Sequence, residues 1–220
     1  MAYSVKAIIF DLDGTLVDSL PDITASTNYT LRQLGLPEIS REQVRTMVGD
    51  GIYTLLERAI ASHHPPQKTE VEKAFRIYLD YYESHCTEQS YVYPGVKELL
   101  ESCRFRSLAV LSNKGEHFTR KILTTLHLAP YFQLILGGDS LPVKKPDPGG
   151  VHHILKTFHV APGEAMVVGD STHDVKAGKA AGTITVAALY GYRDAELLQA
   201  ADVKINHPLE LLGYLDKTVR

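Results

Sequence analysis

The feature that most constrains the fold is a series of short apolar segments that alternate with segments of helical spacing. Apolar runs of this length, bounded by polar or turn residues, are typical of strands buried on both faces of a parallel sheet. The intervening segments place apolar residues three and four positions apart and begin or end near Gly or Pro, as amphipathic helices do. The alternation predicts an α/β fold with a doubly wound parallel sheet. The predicted strands are Val5–Phe10, Leu108–Leu111, Phe132–Leu136, Ala165–Val168 and Ile184–Ala188, and the helices between them are Val96–Cys103, Phe118–Leu126, Val151–Phe158 and Val175–Ala181.

The interval after the first strand, from Leu16 to about Ser90, departs from this alternation because it contains no convincing strand. An all-helical insertion at this point predicts a separate domain that acts as a lid over the edge of the sheet. We therefore expect a core domain made of residues 1–15 and 91–220, and a helical domain made of residues 16–90. The helices predicted in the insertion are Pro21–Leu34, Arg41–Met47, Tyr53–Ser62 and Thr69–His85.

The composition excludes several classes of protein and partner. A net charge of −3, with acids and bases mixed along the chain, offers no basic stripe for nucleic acid. No apolar run approaches the ~20 residues that span a bilayer, and Ala7–Phe10 is too short for the core of a signal peptide. Cys86 and Cys103 form no CxxC pair, so neither a disulfide framework nor a structural zinc site is expected. We expect a cytoplasmic protein without a nucleic-acid or membrane partner.

Three of the predicted strands are followed directly by polar residues. Asp11 and Asp13 follow the first strand, Ser112 follows the second, and Asp170 with Asp174 follows a later one. The carboxyl ends of parallel strands lie at one edge of a sheet, where ligands bind, so these side chains are expected to share one crevice. Four carboxylates at one point repel each other unless a cation is bound. A hard divalent ion with oxygen ligands, Mg²⁺, is therefore predicted.

These residues resemble the motifs of a known family, the haloacid dehalogenase-like (HAD) hydrolases, and within it the phosphoglycolate phosphatase type. The motifs are Asp11-Leu12-Asp13-Gly14-Thr15, Ser112, Lys145-Pro146, and Gly169-Asp170-Ser171 through Asp174. The helical insertion resembles the C1-type cap of the family, which is attached to a Rossmann-like core. Val48-Gly49-Asp50-Gly51 and Tyr190-Gly191-Tyr192 resemble the phosphoglycolate phosphatase pattern, although members often carry Asn where this chain has Asp50.

The resemblance implies catalytic roles for three of these residues. Asp11 would be the nucleophile that forms an aspartyl-phosphate, which divides one difficult displacement into two steps. Asp13 would protonate the leaving oxygen and then deprotonate the attacking water. Lys145 would balance charge in the transition state, and its place before Pro146 favours it over the adjacent Lys144.

The resemblance also implies the ligands of the metal and of the substrate. Mg²⁺ would be held by the carboxylates of Asp11 and Asp170 and by the backbone carbonyl of Asp13, with Asp174 orienting Lys145 or a metal-bound water. Arg58, on a helix of the insertion, is interpreted either as a partner for a substrate carboxylate or as a surface salt bridge. Gly49 would let its loop approach a small substrate closely. The full set expected to contact the substrate is Ser112, Asn113, Lys145, Thr15, Gly49 and Arg58.

The leading hypothesis is an Mg²⁺-dependent phosphomonoester hydrolase for a small phosphorylated metabolite, first of all 2-phosphoglycolate, that acts as a monomer or homodimer. A phosphatase for another small ester and a β-phosphoglucomutase-like phosphomutase remain open, because they share the motifs. Dehalogenase and phosphonatase activities are disfavoured, since neither branch has an acid at the position of Asp13. A phospho-acceptor receiver domain combines similar residues, but it has only ~120 residues and would not explain the insertion.

Overall fold

The computed structural model describes residues 2–216 and divides the chain into two compact units. The first unit, called the core unit below, runs to Asp18 and resumes at Val92, and the second, the helical unit, spans Ser19–Tyr91. The assignment of these units as catalytic core and substrate cap stays a prediction. Among the described residues, no helix combines the length and the apolar character that crossing a membrane would require.

The core unit contains a six-stranded sheet in which every neighbouring pair of strands is parallel. The order across the sheet is β5-β4-β1-β6-β7-β8, so the chain winds outward from β1 in both directions, as the α/β prediction requires. All five strands predicted from the sequence lie in this sheet. Its members are β1 (Ala7–Phe10), β4 (Ser107–Leu111), β5 (Leu134–Leu136), β6 (Ala165–Gly169), β7 (Ile184–Ala188) and β8 (Val203–Ile205).

Three further short strands were not predicted. β8 has three residues and forms the edge next to β7, while β2 (Val17–Asp18) and β3 (Tyr91–Val92) form a separate two-stranded sheet. The expectation that the interval from Leu16 to Ser90 contains no strand is therefore wrong for β2. Strands of two or three residues are too short to show an alternation of apolar and polar side chains, so only their pairing partners reveal them.

The register of the central strands brings the predicted motif residues to one edge. Phe10, the last residue of β1, is level with Val110 of β4 and with Val168 of β6. Residues that follow these positions leave the sheet at its carboxyl edge. The segments that begin at Asp11, Ser112 and Asp170 therefore emerge side by side.

Within the described residues, four α-helices accompany the sheet of the core unit, and apolar side chains of strands and helices form its buried core. The helices are α5 (Val96–Ser102), α6 (Glu116–Thr125), α7 (Gly149–Phe158) and α8 (Thr172–Ala180), each overlapping a predicted helix. One group of packed side chains includes Ile9, Leu111, Val151, Ile154 and Val167, which come from strands and helices of this unit. Burial of this apolar surface stabilises the sheet edge that holds the motif residues.

The helical unit consists of four helices whose bounds lie within two residues of the predicted ones. They are α1 (Leu20–Gln33), α2 (Arg41–Met47), α3 (Ile52–Ala61) and α4 (Lys68–His85). Pro21 stands in the first turn of α1, where its missing N–H is no loss, and Ser40 caps α2 by accepting a hydrogen bond from the Gln43 N–H. Tyr78 and Tyr82 of α4 are fully buried, so these tyrosines act as core residues of this unit.

Candidate active site

Asp11 lies directly after β1, and its main chain is fixed by the N–H that it donates to the Val168 carbonyl, at 2.9 Å. Its Oδ1 accepts a hydrogen bond from the Leu12 N–H, at 2.7 Å, and lies 2.9 Å from Nζ of Lys145. Within residues 2–216, Oδ2 makes no hydrogen bond or ion pair. The side chain is thus held by one oxygen while the other remains available for chemistry.

The environment of Asp11 opposes its ionisation. Burial raises the pKa of the Asp11 carboxyl, the Lys145 ammonium lowers it and the nearby Asp174 carboxylate raises it, and the net result is a pKa of about 7. A nucleophilic carboxylate has to be ionised to react. The cluster therefore holds more negative charge than Lys145 alone can balance.

Lys145 is the cation of the site. It is 4% exposed, whereas the adjacent Lys144 is exposed, so the structure brings Lys145 and not Lys144 to Asp11. Its Nζ also lies 2.5 Å from Oδ1 of Asp174. Burial alone would lower the pKa of Lys145, but the carboxylates of Asp11 and Asp174 outweigh this effect and hold the pKa above its ordinary value. Lys145 therefore keeps its positive charge at neutral pH.

Asp174 uses its two oxygens for two different tasks. Oδ1 contacts Lys145, and Oδ2 accepts hydrogen bonds from the N–H and the hydroxyl of Ser171, at 3.1 and 2.6 Å. Asp174 is in the first turn of α8, where acids are favoured because main-chain N–H groups lack partners. The contacts with Ser171 fix the carboxylate, and the carboxylate fixes Lys145.

Asp170 follows β6 and is 3% exposed. Its Oδ2 accepts a hydrogen bond from the Tyr192 N–H, at 2.7 Å. Burial, and then the negative charges of Asp11 and Asp174, raise the pKa of Asp170 well above its ordinary value. A Cβ on Gly14 would lie 2.3 Å from Oδ2 of Asp170, so the loop after β1 passes this carboxylate at a distance that only glycine permits.

The three carboxylates fit a hard divalent cation. One carboxylate oxygen from each of Asp11, Asp170 and Asp174 lies within 4.8 Å of the others. These three acids, of which Asp170 and Asp174 are buried and Asp11 is half-buried, contact one ammonium group, that of Lys145. This leaves a deficit of positive charge, as the raised pKa values of Asp11 and Asp170 also indicate. Carboxylate oxygens are the preferred ligands of Mg²⁺ and Ca²⁺, and no sulfur or imidazole ligand is in the group.

Asp13 faces a second cation, Lys114, which was not among the predicted site residues. Its Oδ1 lies 2.9 Å from Nζ of Lys114, and the side chain of Lys114 is 6% exposed. Lys114 stands two residues after Ser112, in the polar group that ends β4, and this position was the available sequence signal. That Lys114 pairs with Asp13 follows from the neighbourhood of β1 and β4 in the sheet, which residues about a hundred positions apart do not reveal.

The remaining residues expected at the phosphoryl group lie around this cluster. The hydroxyl of Ser112 accepts a hydrogen bond from the Lys114 N–H, at 3.2 Å. The Asn113 side-chain amide donates to the Lys145 carbonyl, at 2.9 Å, which fixes the loop that carries Lys145. The Thr15 hydroxyl is buried and has no hydrogen-bond partner in the described part of the chain. All three belong to the core unit, together with the acidic cluster.

Gly49 and Arg58 belong to the helical unit instead. Gly49 has a φ of 125°, a conformation that favours glycine, in the turn between α2 and α3. The Arg58 guanidinium lies 2.6 Å from Oδ2 of Asp50 and donates to the Met47 carbonyl at 2.9 Å. Within this unit, the charge of Asp50 is therefore balanced by Arg58, and the salt-bridge interpretation of Arg58 describes its contacts.

Comparison with known proteins agrees with this arrangement. A sequence model of the family described as Haloacid dehalogenase-like hydrolase matches residues 8–188. Proteins named phosphoglycolate phosphatase from Chromobacterium violaceum and Neisseria meningitidis are 39% and 40% identical to this chain. The alignments cover 94% and 90% of this chain, and 95% and 86% of those proteins.

Solved structures show the same fold over almost the whole chain. A crystal structure described as a predicted phosphoglycolate phosphatase from Haemophilus somnus aligns with a TM-score of 0.90 at 34% identity, and covers 96% of this chain and 97% of that one. A hydrolase of the haloacid dehalogenase-like family from Streptococcus pneumoniae aligns with a TM-score of 0.84 at 28% identity, covering 96% and 98%. The chain belongs to the haloacid dehalogenase-like hydrolases and is a phosphatase of that family.

Proposed function

We propose that this protein is an Mg²⁺-dependent phosphomonoester hydrolase that acts on 2-phosphoglycolate through an aspartyl-phosphate on Asp11. The observation that carries the proposal is the Asp11 carboxylate directly after β1, with one oxygen held by Lys145 at 2.9 Å and the other without a partner among the described residues. The names of the relatives from Chromobacterium violaceum and Neisseria meningitidis support the choice of substrate.

In the first step, Oδ2 of Asp11 attacks phosphorus and the bond between phosphorus and the leaving oxygen breaks. Asp13, two residues further along the same loop, donates a proton to that leaving oxygen. Lys145, with Ser112 beside it at the same edge of the sheet, stabilises the negative charge on the phosphoryl oxygens. The leaving alcohol departs, and the phosphoryl group is bonded to Asp11.

In the second step, Asp13 accepts a proton from a water molecule, whose oxygen attacks phosphorus. The bond between phosphorus and the Asp11 oxygen breaks, which releases inorganic phosphate and restores both carboxyl groups. Lys114, at 2.9 Å from Asp13, holds the carboxyl of Asp13 in one orientation through both proton transfers. Asp174 does the same for Lys145, through the contact at 2.5 Å.

The groups that would hold Mg²⁺ are the carboxylates of Asp11 and Asp170 and the backbone carbonyl of Asp13. The ion supplies positive charge that offsets the repulsion between the Asp11 carboxylate and the phosphate dianion. The role of this chain is to keep the ligands in place, by the Tyr192 N–H at Asp170 and the Leu12 N–H at Asp11.

We assign substrate choice to the helical unit as a C1-type cap, because the core groups described above address the phosphoryl group and its charge. Thr15, Asn113 and Gly49 stay candidates for substrate contact. Arg58 is the candidate that binds the substrate carboxylate. Its ion pair with Asp50 weakens this binding, since the two charges compensate each other.

The proposal is tested by measuring kcat/KM for a panel of phosphorylated metabolites, with excess chelator and with added Mg²⁺. We expect 2-phosphoglycolate to give the highest value, activity to vanish with chelator, and Mg²⁺ to restore it. Ca²⁺ should bind but support turnover poorly, because its larger and looser coordination misplaces Asp11 relative to phosphorus. Lys145→Ala and Lys144→Ala form a matched pair, because the two lysines are neighbours and only Lys145 reaches the cluster.

Each alternative has its own outcome in this experiment. Interconversion of β-glucose 1-phosphate and glucose 6-phosphate without release of phosphate would favour a phosphomutase. A single stoichiometric phosphorylation without turnover would favour a receiver module. Full activity in excess chelator, or equal loss in Lys145→Ala and Lys144→Ala, would contradict the proposed mechanism.

A further inference from the structure

The segment Tyr190–Tyr192 packs its main chain against the acidic cluster. The Tyr192 N–H donates to Oδ2 of Asp170 at 2.7 Å. A Cβ on Gly191 would lie 2.3 Å from the Cβ of Asp170 and 2.4 Å from the carbonyl oxygen of Gly14. Because real side chains do not approach this closely, only glycine at position 191 lets the main chain reach Asp170.

The two tyrosine hydroxyls anchor this segment on either side of Gly191. The Tyr192 hydroxyl donates to Oδ1 of Asp18 at 3.1 Å, and both side chains are buried. The Tyr190 hydroxyl donates to the Thr15 carbonyl at 3.0 Å, and its ring meets the ring of Tyr93 edge-on, with centroids 5.1 Å apart. The segment is therefore held by these contacts, and by the hydrogen bond from the Gly191 N–H to the Ala188 carbonyl at 3.2 Å, in addition to its hydrogen bond to Asp170.

Two residues that contact this segment, Asp18 and Tyr93, lie where the chain leaves the core unit and where it returns. Asp18 is the last residue of the core unit before the chain enters the helical unit, and Tyr93 is the second residue after it returns. Tyr192 thus connects Asp170, through its main-chain N–H, with the point where the chain leaves the core unit, through its hydroxyl. The mechanism described above uses the first of these bonds and not the second.

We propose that Tyr192 is a positioning residue for Asp170 and that its hydrogen bond to Asp18 determines how tightly the acidic cluster binds a divalent cation. The inference rests on the proposed function, since it takes Asp170 as a ligand of that cation. Within residues 2–216, Oδ2 of Asp170 accepts one hydrogen bond, from the Tyr192 N–H, so the orientation of the carboxylate depends on where the segment 190–192 is held.

The physical basis is preorganisation. When the hydroxyl of Tyr192 is bonded to Asp18, the main-chain N–H stays aimed at Asp170, and the cation meets a carboxylate already in place. Without that bond, part of the binding free energy is used to order the segment, and affinity falls. By linkage, a bound cation in turn stabilises the Tyr192–Asp18 bond and so the conformation of the chain at its exit from the core unit.

The test is the affinity of the purified protein for Mn²⁺ without substrate, measured by electron paramagnetic resonance of the free ion. Tyr192→Phe removes the hydroxyl and keeps the N–H to Asp170, and Asp18→Ala removes the acceptor without altering Tyr192. Each is expected to weaken binding by about three- to ten-fold, the range of one net hydrogen bond. The double variant should be no weaker than either single one, because both remove the same bond.

Two controls separate positioning from general stability. Asp18→Asn keeps an oxygen acceptor and should retain the affinity within about two-fold, as one preserved hydrogen bond implies. Tyr82→Phe removes a hydroxyl from a buried tyrosine of the helical unit and should leave Mn²⁺ binding unchanged. Thermal unfolding without metal is recorded for all variants. A merely structural role would lower the melting temperature of Tyr192→Phe without changing its Mn²⁺ affinity.

Asp170→Asn distinguishes failure of this inference from failure of the proposed function. If Asp170→Asn loses Mn²⁺ binding while Tyr192→Phe and Asp18→Ala bind as the wild type does, the positioning role is overturned and the proposed function stands. If Asp170→Asn binds as the wild type does, Asp170 is no ligand, and both proposals fail. If Tyr192→Phe does not fold, the Mn²⁺ affinities of Asp18→Ala and Asp18→Asn test the positioning role, because they change the acceptor of the same hydrogen bond.

Discussion

Two buried aspartates, one in each unit, show how differently the same side chain is used. Asp22 of the helical unit is 1% exposed and accepts hydrogen bonds from the N–H groups of Gln89 and Ser90 and from the Ser90 hydroxyl, at 2.6 to 3.1 Å. Asp170 of the core unit is 3% exposed, accepts one hydrogen bond from the described part of the chain, and has two further carboxylates beside it.

The difference between these aspartates lies in how completely their charge is satisfied. Donors surround Asp22, so its burial joins the start of α1 to the end of the helical unit and stabilises the fold. Among the described residues, Asp170 and Asp11 are each contacted on one oxygen only, and both have raised pKa values because of burial and neighbouring acids. The carboxylates of Asp11 and Asp170 are therefore candidates for binding a ligand, whereas the carboxylate of Asp22 stabilises the fold.

The largest effect is expected for Asp11→Asn, which keeps the shape and removes the nucleophile. Activity should fall by more than about 10⁴-fold, since loss of a nucleophile costs up to ~10⁶-fold in well-studied hydrolases. Because burial disfavours the charge of Asp11, the metal-free variant at pH 8 should unfold in urea no more easily than the wild type. Retention of more than about one hundredth of wild-type kcat would contradict covalent catalysis by Asp11.

The next effect concerns Asp13→Asn and separates its two duties. Glycolate is a poor leaving group and needs a proton, whereas p-nitrophenolate does not, so the first step should survive in part only with p-nitrophenyl phosphate. Attack of water still needs a base and should be slower by ~10²–10⁴-fold. Rapid mixing should show a burst of p-nitrophenol followed by slow turnover. Equal loss with both substrates and no burst would withdraw the acid–base role.

Asp22→Asn is the counterpart in the helical unit. It places an amide N–H₂ against donors, so the free energy of unfolding should fall by about 1–3 kcal/mol while kcat changes little. Ser90→Ala removes one donor and should cost less, about 1 kcal/mol. Urea unfolding and kcat are measured on the same preparations. An Asp22→Asn protein of normal stability without activity would contradict this interpretation, because Asp22 would then act in catalysis and not in stabilising the fold.

A smaller effect is expected at the Arg58–Asp50 pair of the helical unit. Arg58→Ala should lower kcat/KM for 2-phosphoglycolate by about ten-fold, the value of one exposed charge-assisted contact, and leave p-nitrophenyl phosphate nearly unchanged. Asp50→Asn removes the charge that pairs with Arg58. It should therefore raise kcat/KM for 2-phosphoglycolate relative to kcat/KM for p-nitrophenyl phosphate. Changes in kcat/KM of equal size for both substrates would mean that these residues do not discriminate between leaving groups.

The smallest effect is expected for Asp202, a partly exposed aspartate of the core unit. Partial burial alone would raise its pKa, but hydrogen bonds from Lys179 and Thr185 hold the pKa of Asp202 below its ordinary value. The ionised Asp202 carboxylate therefore adds its full share to the free energy of unfolding above the unfolded pKa of about 3.9. This share is lost as the pH falls through the lower pKa of the folded state.

In urea unfolding, Asp202→Asn should be less stable than the wild type by no more than about 1 kcal/mol, because solvent screens the pair. The difference should be constant from pH 8 to about pH 5 and shrink below about pH 4. A difference that grew on acidification would have the wrong sign for a depressed pKa.

Most elements could be predicted from local patterns, because β1, β4, β6 and β7 are apolar runs and the helices have regular spacing and turn residues. The edge strand β8 and the strands β2 and β3 could not, since they consist of two or three residues defined by pairing. At the site, the carboxylates of Asp11, Asp13, Asp170 and Asp174 followed from strand ends. The partner of Asp13, Lys114, and the donor to Asp170, Tyr192, did not.

The sequence by itself determined which chemical groups stand at the ends of which strands, because alternation of apolar runs and polar ends is a local property of the chain. The tertiary structure decided which of those groups meet. The order β4-β1-β6 places Lys114 beside Asp13, and the turn after β7 returns Tyr192 to Asp170 and Asp18. Contacts between residues 22 and 174 positions apart, such as those of Tyr192, depend on packing of the whole sheet, so no local pattern encodes them.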